Sequence, residues 1–258
     1  MRMLFSLLVA FAMAHCQLKT EPLNMTGSYS MLNQKLGDGS KDSILNKKQF
    51  KIYTDHYMIY ASHISETDSL ADYGIGTYRV EDGDVIENTF YRALEGDKKD
   101  SAILKISKTD KGFKQVNKNF VYQNKRYSLS EEYERIGKPV STPLDGAWKL
   151  IQNIYIGSLG DTVYSNVIQF KVFESGCFIW ANSFQDPTTH KTISGFGYGT
   201  FEINGNKSTE VNLNSTYVRS FVGKPFNIEL EFVGKDTYKQ IVVNEAGIKT
   251  IEVYERLQ

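Results

Sequence analysis

At 258 residues, with 30 Lys and Arg set against 30 Asp and Glu, the chain is long enough for two domains of ordinary size and carries no net charge. That balance supplies no global field for nucleic acid or for an anionic membrane surface. Hydrophobic residues make up 41% and aromatic residues 13%, with Tyr and Phe far outnumbering Trp, which suits half-buried strands; no helical period runs long enough to supply crossovers.

The N-terminus reads as a targeting segment. Met1-Arg2-Met3 is a short basic region, Leu4 to Ala12 an apolar run and Ala12-Met13-Ala14 a cleavage signal, so residues 1–16 are expected to be a signal peptide. The run is shorter than the ~20 residues a spanning helix needs. The chain is therefore expected to be exported, secreted or periplasmic, with no transmembrane segment in its mature form. A lipoprotein cut that leaves an acyl anchor on Cys16 fits less well, because His15 is not the small residue such signals place before the Cys. The other cysteine is Cys177, so no intrachain disulfide framework is available. Asn24-Met25-Thr26, Asn206-Lys207-Ser208 and Asn214-Ser215-Thr216 are glycosylation acceptors in a eukaryote and carry no meaning in most bacteria; the sequence leaves the source open.

After a polar leader the chain runs through one series of segments twice. Gly27-Ser28-Tyr29 opens the first copy and Gly146-Ala147-Trp148 the second. Phe50-Lys51-Ile52-Tyr53, a turn, and Tyr57-Met58-Ile59-Tyr60-Ala61 match Phe170-Lys171-Val172-Phe173, a turn, and Cys177-Phe178-Ile179-Trp180-Ala181. Tyr73-Gly74-Ile75-Gly76-Thr77-Tyr78-Arg79 matches Phe196-Gly197-Tyr198-Gly199-Thr200-Phe201-Glu202, with glycines at equal spacing that mark a bend, a bulge or close backbone approach. Asn88 to Arg92 is aligned with Ser215 to Arg219, and Tyr133-Glu134-Arg135 closes the first copy as Tyr254-Glu255-Arg256 closes the second. About eight short strands per copy, joined by short connections, predict an antiparallel meander, and the glycines favour closing it into a barrel without open edges. The expected architecture is all-β: a first up-and-down barrel over 25–136, a Pro-containing linker over 137–143 and a second barrel over 144–258.

Gly146-x-Trp148 on the first strand of the second copy, with Arg256 on its last strand, resembles the signature of lipocalins and related calycin barrels. The first copy departs from it, with Tyr29 after Gly27 and Arg135 at the end. In that family the Trp lies at the closed end of the barrel and the Arg packs across its ring, so the resemblance implies a structural role for these six residues and a cup that opens at the other end.

Function would then lie in the cup or at its mouth. Strand alternation with Lys51 and Lys171 outward turns Phe50, Ile52, Phe170 and Val172 inward; with Arg79 and Glu202 outward, Gly76, Tyr78, Gly199 and Phe201 turn inward. Tyr60, Tyr78, Trp180 and Phe201 are thus candidate ligand-binding residues, as are Arg92 and Arg219, read as a duplicated Arg able to pair with a ligand carboxylate. No catalytic or metal site is legible: His56, His63 and His190 have no counterparts in the other copy and no ligand spacing, hydrolase and nucleotide motifs are missing, and Cys177 reads as a buried structural thiol. A transmembrane barrel of sixteen strands is disfavoured by short runs with charges on the face that would meet lipid. The expectation is an exported, non-catalytic binding protein without cofactor, holding a small apolar or amphipathic ligand in one or both barrels. The alternative is a scaffold with filled barrels that contacts another protein.

Overall fold

A computed structural model of the protein describes residues 23–37, 41–45, 47–64, 72–93, 95–97, 99–122, 124–216, 219–244 and 246–258. Residues 1–16, expected to be a signal peptide, and with them Cys16, lie outside the described residues. The first copy forms β1 (Gly27–Gly37), β2 (Asp42–Ile44), β3 (Lys47–Tyr53), β4 (Tyr57–Ile64), β5 (Asp72–Glu81), β6 (Asp84–Arg92), β7 (Asp100–Lys108), β8 (Gly112–Tyr122) and β9 (Lys125–Ile136). The second forms β10 (Gly146–Ile156), β11 (Thr162–Tyr164), β12 (Ile168–Glu174), β13 (Cys177–Gln185), β14 (Thr192–Asn204), β15 (Lys207–Ser215), β16 (Pro225–Phe232), β17 (Thr237–Val243) and β18 (Lys249–Arg256). Every pairing is antiparallel, and each sheet closes on itself through β1–β9 or β10–β18. The expected tandem barrels are therefore present. The ninth strand of each sheet, β2 or β11, is three residues long and pairs with the far end of β1 or β10 alone, so the wall proper has eight strands.

The same irregularities recur in both walls. The first strand shifts register between Met31 and Asn33, and again between Leu150 and Gln152, so its near half pairs with β3 or β12 and its far half with β2 or β11. A second shift falls between Ile75 and Gly76, repeated between Tyr198 and Gly199. A Cβ on Gly76 would come within 2.2 Å of the Asn88 carbonyl oxygen, and one on Gly199 within 1.9 Å of that of Val211. These glycines are where the wall curls tightly enough to close.

The closed end is built by the aromatic-arginine pair. Arg256 lies with its guanidinium 4.0 Å from the centre of the Trp148 ring and donates to the carbonyls of Asp145 (2.6 Å) and Pro143 (3.2 Å), while the indole N–H donates to the Leu144 carbonyl (2.7 Å). One side chain thus combines a cation–π contact with satisfaction of carbonyls that the turn leaves open. Gly146 sits at φ 126°, and a Cβ there would lie 2.2 Å from Arg256 Nη1. In the first barrel Arg135 lies 5.9 Å from the Tyr29 ring and donates to the Thr26 carbonyl, and Tyr29 donates to the Met25 carbonyl.

Two of three apolar clusters fill the closed halves of the barrels: Met25, Tyr29, Tyr53, Met58, Phe113 and Tyr133 in the first, and Trp148, Phe173, Phe178, Phe201, Tyr238 and Tyr254 in the second. The third lies between the barrels. It joins Phe50, Ile52, Ile59, Ala61, Tyr73 and Ile75 to Phe170, Val172, Cys177, Ile179, Ala181 and Phe196. This reverses the expected facing of β3 and β12. Lys51 and Lys171 point into their barrels, 2% and 3% exposed, and Phe50, Ile52, Phe170 and Val172 face the other barrel. Alternation was the right rule, but assigning the charged residue to solvent inverted it. Along β5 and β14 the expected facing holds: Arg79 and Glu202 are exposed, while Tyr78 and Phe201 pack inside.

Contacts across the interface match end with end. At the closed ends Ser28 donates to the Glu174 carbonyl (2.8 Å) and Tyr57 to that of Gln258 (2.6 Å). Towards the open ends the Tyr73 hydroxyl meets Ser183 (2.7 Å), and Asn214 meets the His63 ring (3.2 Å). The barrels therefore stand side by side with both mouths at one end. His63 and Ser183 occupy matching positions, as do Tyr73 and Phe196; His63 packs on Phe196 while Ser183 meets Tyr73, the reciprocity of a two-fold interface between the copies. Because this core is shared, Phe170→Ala is expected to cost about 3–5 kcal/mol and to destabilise both barrels together. Trp fluorescence in urea reports the second barrel and far-ultraviolet circular dichroism reports both; coincident curves are expected, and separated ones would show barrels that unfold independently.

Candidate functional site: the cup of the first barrel

Above its apolar base the first barrel carries a polar floor. The Lys51 ammonium lies 2.6 Å from Glu87 Oε1 and donates to Gln115 Oε1 (3.5 Å). Tyr53 donates its hydroxyl to Glu87, and Gln115 donates to Glu131. Glu131 also accepts from Gln34 (2.5 Å) and from Tyr133 (3.1 Å), whose hydroxyl in turn accepts from Gln49 (2.5 Å). Burial pushes the Tyr53 and Tyr133 phenols well above their ordinary pKa, with Glu87 and Glu131 adding to it, so both act as donors.

Over this floor opens a cavity of about 740 Å³. Its wall includes Tyr60, Ser62 and Asp72, and toward the mouth it carries Leu36, Leu45, Phe120, Val121, Tyr122 and Leu129 beside Lys47, Arg92, Asp100 and Asn119. Tyr60 stands across from Gly74, and a Cβ on that glycine would lie 2.6 Å from the phenol ring, so the glycine is what lets the ring lie against the wall. Desolvation raises the Tyr60 phenol and the Asp72 carboxyl; Lys47 and Arg92 work against the rise at Asp72. Arg92 pairs with Asp100 (3.0 Å) and Glu95 (3.9 Å) at the lip. The walls thus present donors and acceptors at the bottom, and apolar surface interleaved with polar groups at the top.

The second barrel repeats the floor. Lys171 pairs with Glu210 (2.6 Å) and donates to Gln240 (3.0 Å); Gln240 and Tyr254 each donate to Glu252 (2.6 Å), and Gln169 donates to the Tyr254 hydroxyl. Desolvation raises the Glu252 carboxyl, partly offset by Tyr254 and Lys171. Trp180 stands where Tyr60 does, across from Gly197, with its indole N–H donating to Asn212 (3.1 Å).

Of the candidates read from sequence, Tyr60 and Arg92 meet in the cup. Tyr78 and Phe201 lie in the closed-end clusters, Tyr78 donating to the Thr54 carbonyl (2.7 Å). Arg219 is not the counterpart of Arg92. Arg92 pairs with Gly74 and Ser215 with the matching Gly197, which equates Arg92 with Ser215, whereas Arg219 is exposed on a short 3₁₀ turn, Arg219–Phe221. The likeness of Asn88-Thr89-Phe90-Tyr91-Arg92 to Ser215-Thr216-Tyr217-Val218-Arg219 suggests an alignment that the register overrules. The reading missed the floor entirely, though its signal was present: Gln49-Phe50-Lys51 recurs as Gln169-Phe170-Lys171, and Glu131-x-Tyr133 as Glu252-x-Tyr254. Cys177 sits in the inter-barrel core, where burial pushes its thiol up to about 11, against a smaller lowering by Ser28. Among the described residues no helix is long and apolar enough to cross a membrane.

No protein-family model matches the sequence, and no curated protein matches it. Similar solved structures include a lipocalin-like protein from Bacteroides uniformis, 16% identical, with a TM-score of 0.30, covering 45% of this chain and 100% of that one. Another is an uncharacterized protein from Bacteroides eggerthii, 14% identical, with a TM-score of 0.30, covering 44% of this chain and 99% of that one. The fold is stated on the closed sheets themselves: two lipocalin-like barrels in tandem.

The Lys51–Glu87 pair yields a direct test. Lys51→Met leaves a buried carboxylate without its cation and is expected to cost about 3–5 kcal/mol, whereas Lys51→Met with Glu87→Gln recovers most of that loss. Urea titrations of both variants check this; equal losses would mean that the pair does not act as one buried unit.

Proposed function

We infer that the protein is an exported, non-catalytic binding protein that holds a small amphipathic molecule in the cup of its first barrel. What supports the reading is the lining of that cavity, a polar floor beneath a mouth where large apolar side chains stand beside polar ones. A wholly apolar ligand would leave the buried groups around Glu131 and Tyr60 facing hydrocarbon, which is costly. A molecule that enters polar end first meets Gln34, Gln49 and Tyr60 below and Leu36 and Leu129 above, with Arg92 at the lip. A volume of this size falls within the range of small-molecule sites. Export rests on the basic and apolar run of residues 1–16.

Native mass spectrometry of protein purified from its own host is expected to show a co-purifying molecule. Calorimetric titration with single-chain amphiphiles is expected to show binding that falls about tenfold in Tyr60→Ala, about what one lost buried hydrogen bond at a ligand is worth, and holds in Trp180→Ala. A clean apo mass, with no thermal shift from fatty acids, lysolipids, sterols or bile salts, would overturn the reading.

A further inference from the structure

The net charge of zero conceals a division between the two ends of the molecule. Both mouths open at one end, which carries most of the large apolar side chains left exposed among the described residues. Leu159, 96% exposed, tips the β10–β11 connection, with Val163 and Tyr164 (68%) beside it on β11; Val121 and Tyr122 end β8, and Ile44 lies on β2. The same end is ringed by exposed Lys48, Lys118, Lys125, Arg126, Lys191 and Lys224. Among the described residues its exposed acids are fewer: Asp42, Asp161, Glu95 and Asp97 on the β6–β7 connection, and Asp100 at the start of β7. The closed end instead exposes Glu81, Asp82, Asp110, Glu202 and Glu255 among its basic residues.

Apolar tips within a basic ring match a surface that is apolar below and anionic above. A protein partner would be expected to meet a continuous apolar patch with a polar rim. Here the apolar side chains stand on separate connections of two barrels, spread over one end and interleaved with lysines. The side-by-side packing brings these tips to one end, because the two-fold relation between the copies runs along the barrel axes.

We propose that the open end docks on an anionic lipid surface, with Leu159, Tyr164, Val121 and Tyr122 entering the interface and the surrounding lysines and Arg126 meeting headgroup phosphates. Docked in this way, both mouths face the lipid. The proposal does not depend on what the cup of the first barrel holds.

The test is cosedimentation of the chain from Leu23 onward, which contains both closed sheets, with vesicles of phosphatidylcholine alone or with added phosphatidylserine or phosphatidylglycerol. Binding is expected to the anionic vesicles and not to the neutral ones, and it should fade between about 0.1 M and about 1 M salt, as the Debye length falls from ~10 to ~3 Å. Leu159→Asp is expected to lower binding at least about tenfold, and Lys125→Gln and Arg126→Gln about fivefold each. Val233→Asp, at the closed end, should leave it unchanged. No binding, equal binding to neutral vesicles, or indifference to Leu159→Asp would overturn the proposal. So would self-association of the lipid-free protein that the same substitution abolishes, because the face would then join copies of this chain.

Discussion

The rest of the structure depends on a lysine that points inward. In a strand, successive side chains face opposite ways, so once Lys51 turns into the barrel to meet Glu87 its neighbours Phe50 and Ile52 must turn out. Lys171, held by Glu210, does the same to Phe170 and Val172. Four large apolar side chains are thereby placed on outer walls, where water would make them a liability, and the two walls cover each other. The buried ion pair and the shared core are two faces of one register.

This coupling accounts for both ends of the molecule. At the closed ends Arg256 over Trp148 and Arg135 over Tyr29 fasten the first strand to the last, and apolar clusters fill the space beneath the lysines. Above the lysines the first barrel opens into its cup, lined by the polar groups that the network orients. Expecting either a hollow, aromatic cup or a filled one missed an arrangement in layers: an apolar base, a polar middle and an open top.

How much of this was legible varies with the physics. Repeats, strand number, closure and the glycine-aromatic-arginine seat could be read, because each is a local pattern tied to backbone geometry. The facing of β3 and β12 could not, because alternation gives two faces without saying which is inside. The usual arbiter, charge to solvent, fails where a carboxylate distant in sequence waits inside: Glu87 lies 36 residues beyond Lys51 and is reached only through the closed wall. Identity between diverged copies was the usable clue, since Gln49-Phe50-Lys51 and Gln169-Phe170-Lys171 agree where most flanking positions do not. The Arg92–Arg219 pairing failed for the opposite reason: similar residue types in a loop outweighed strand register.

The central claim is that these two lysines lie inside, and lysine acetylation of the native protein followed by peptide mass spectrometry measures it directly. Lys51 and Lys171 are expected to stay unmodified while exposed lysines such as Lys149 react, and to become reactive only when the protein unfolds. Modification of Lys51 or Lys171 at the rate of Lys149 in the folded protein would contradict the account.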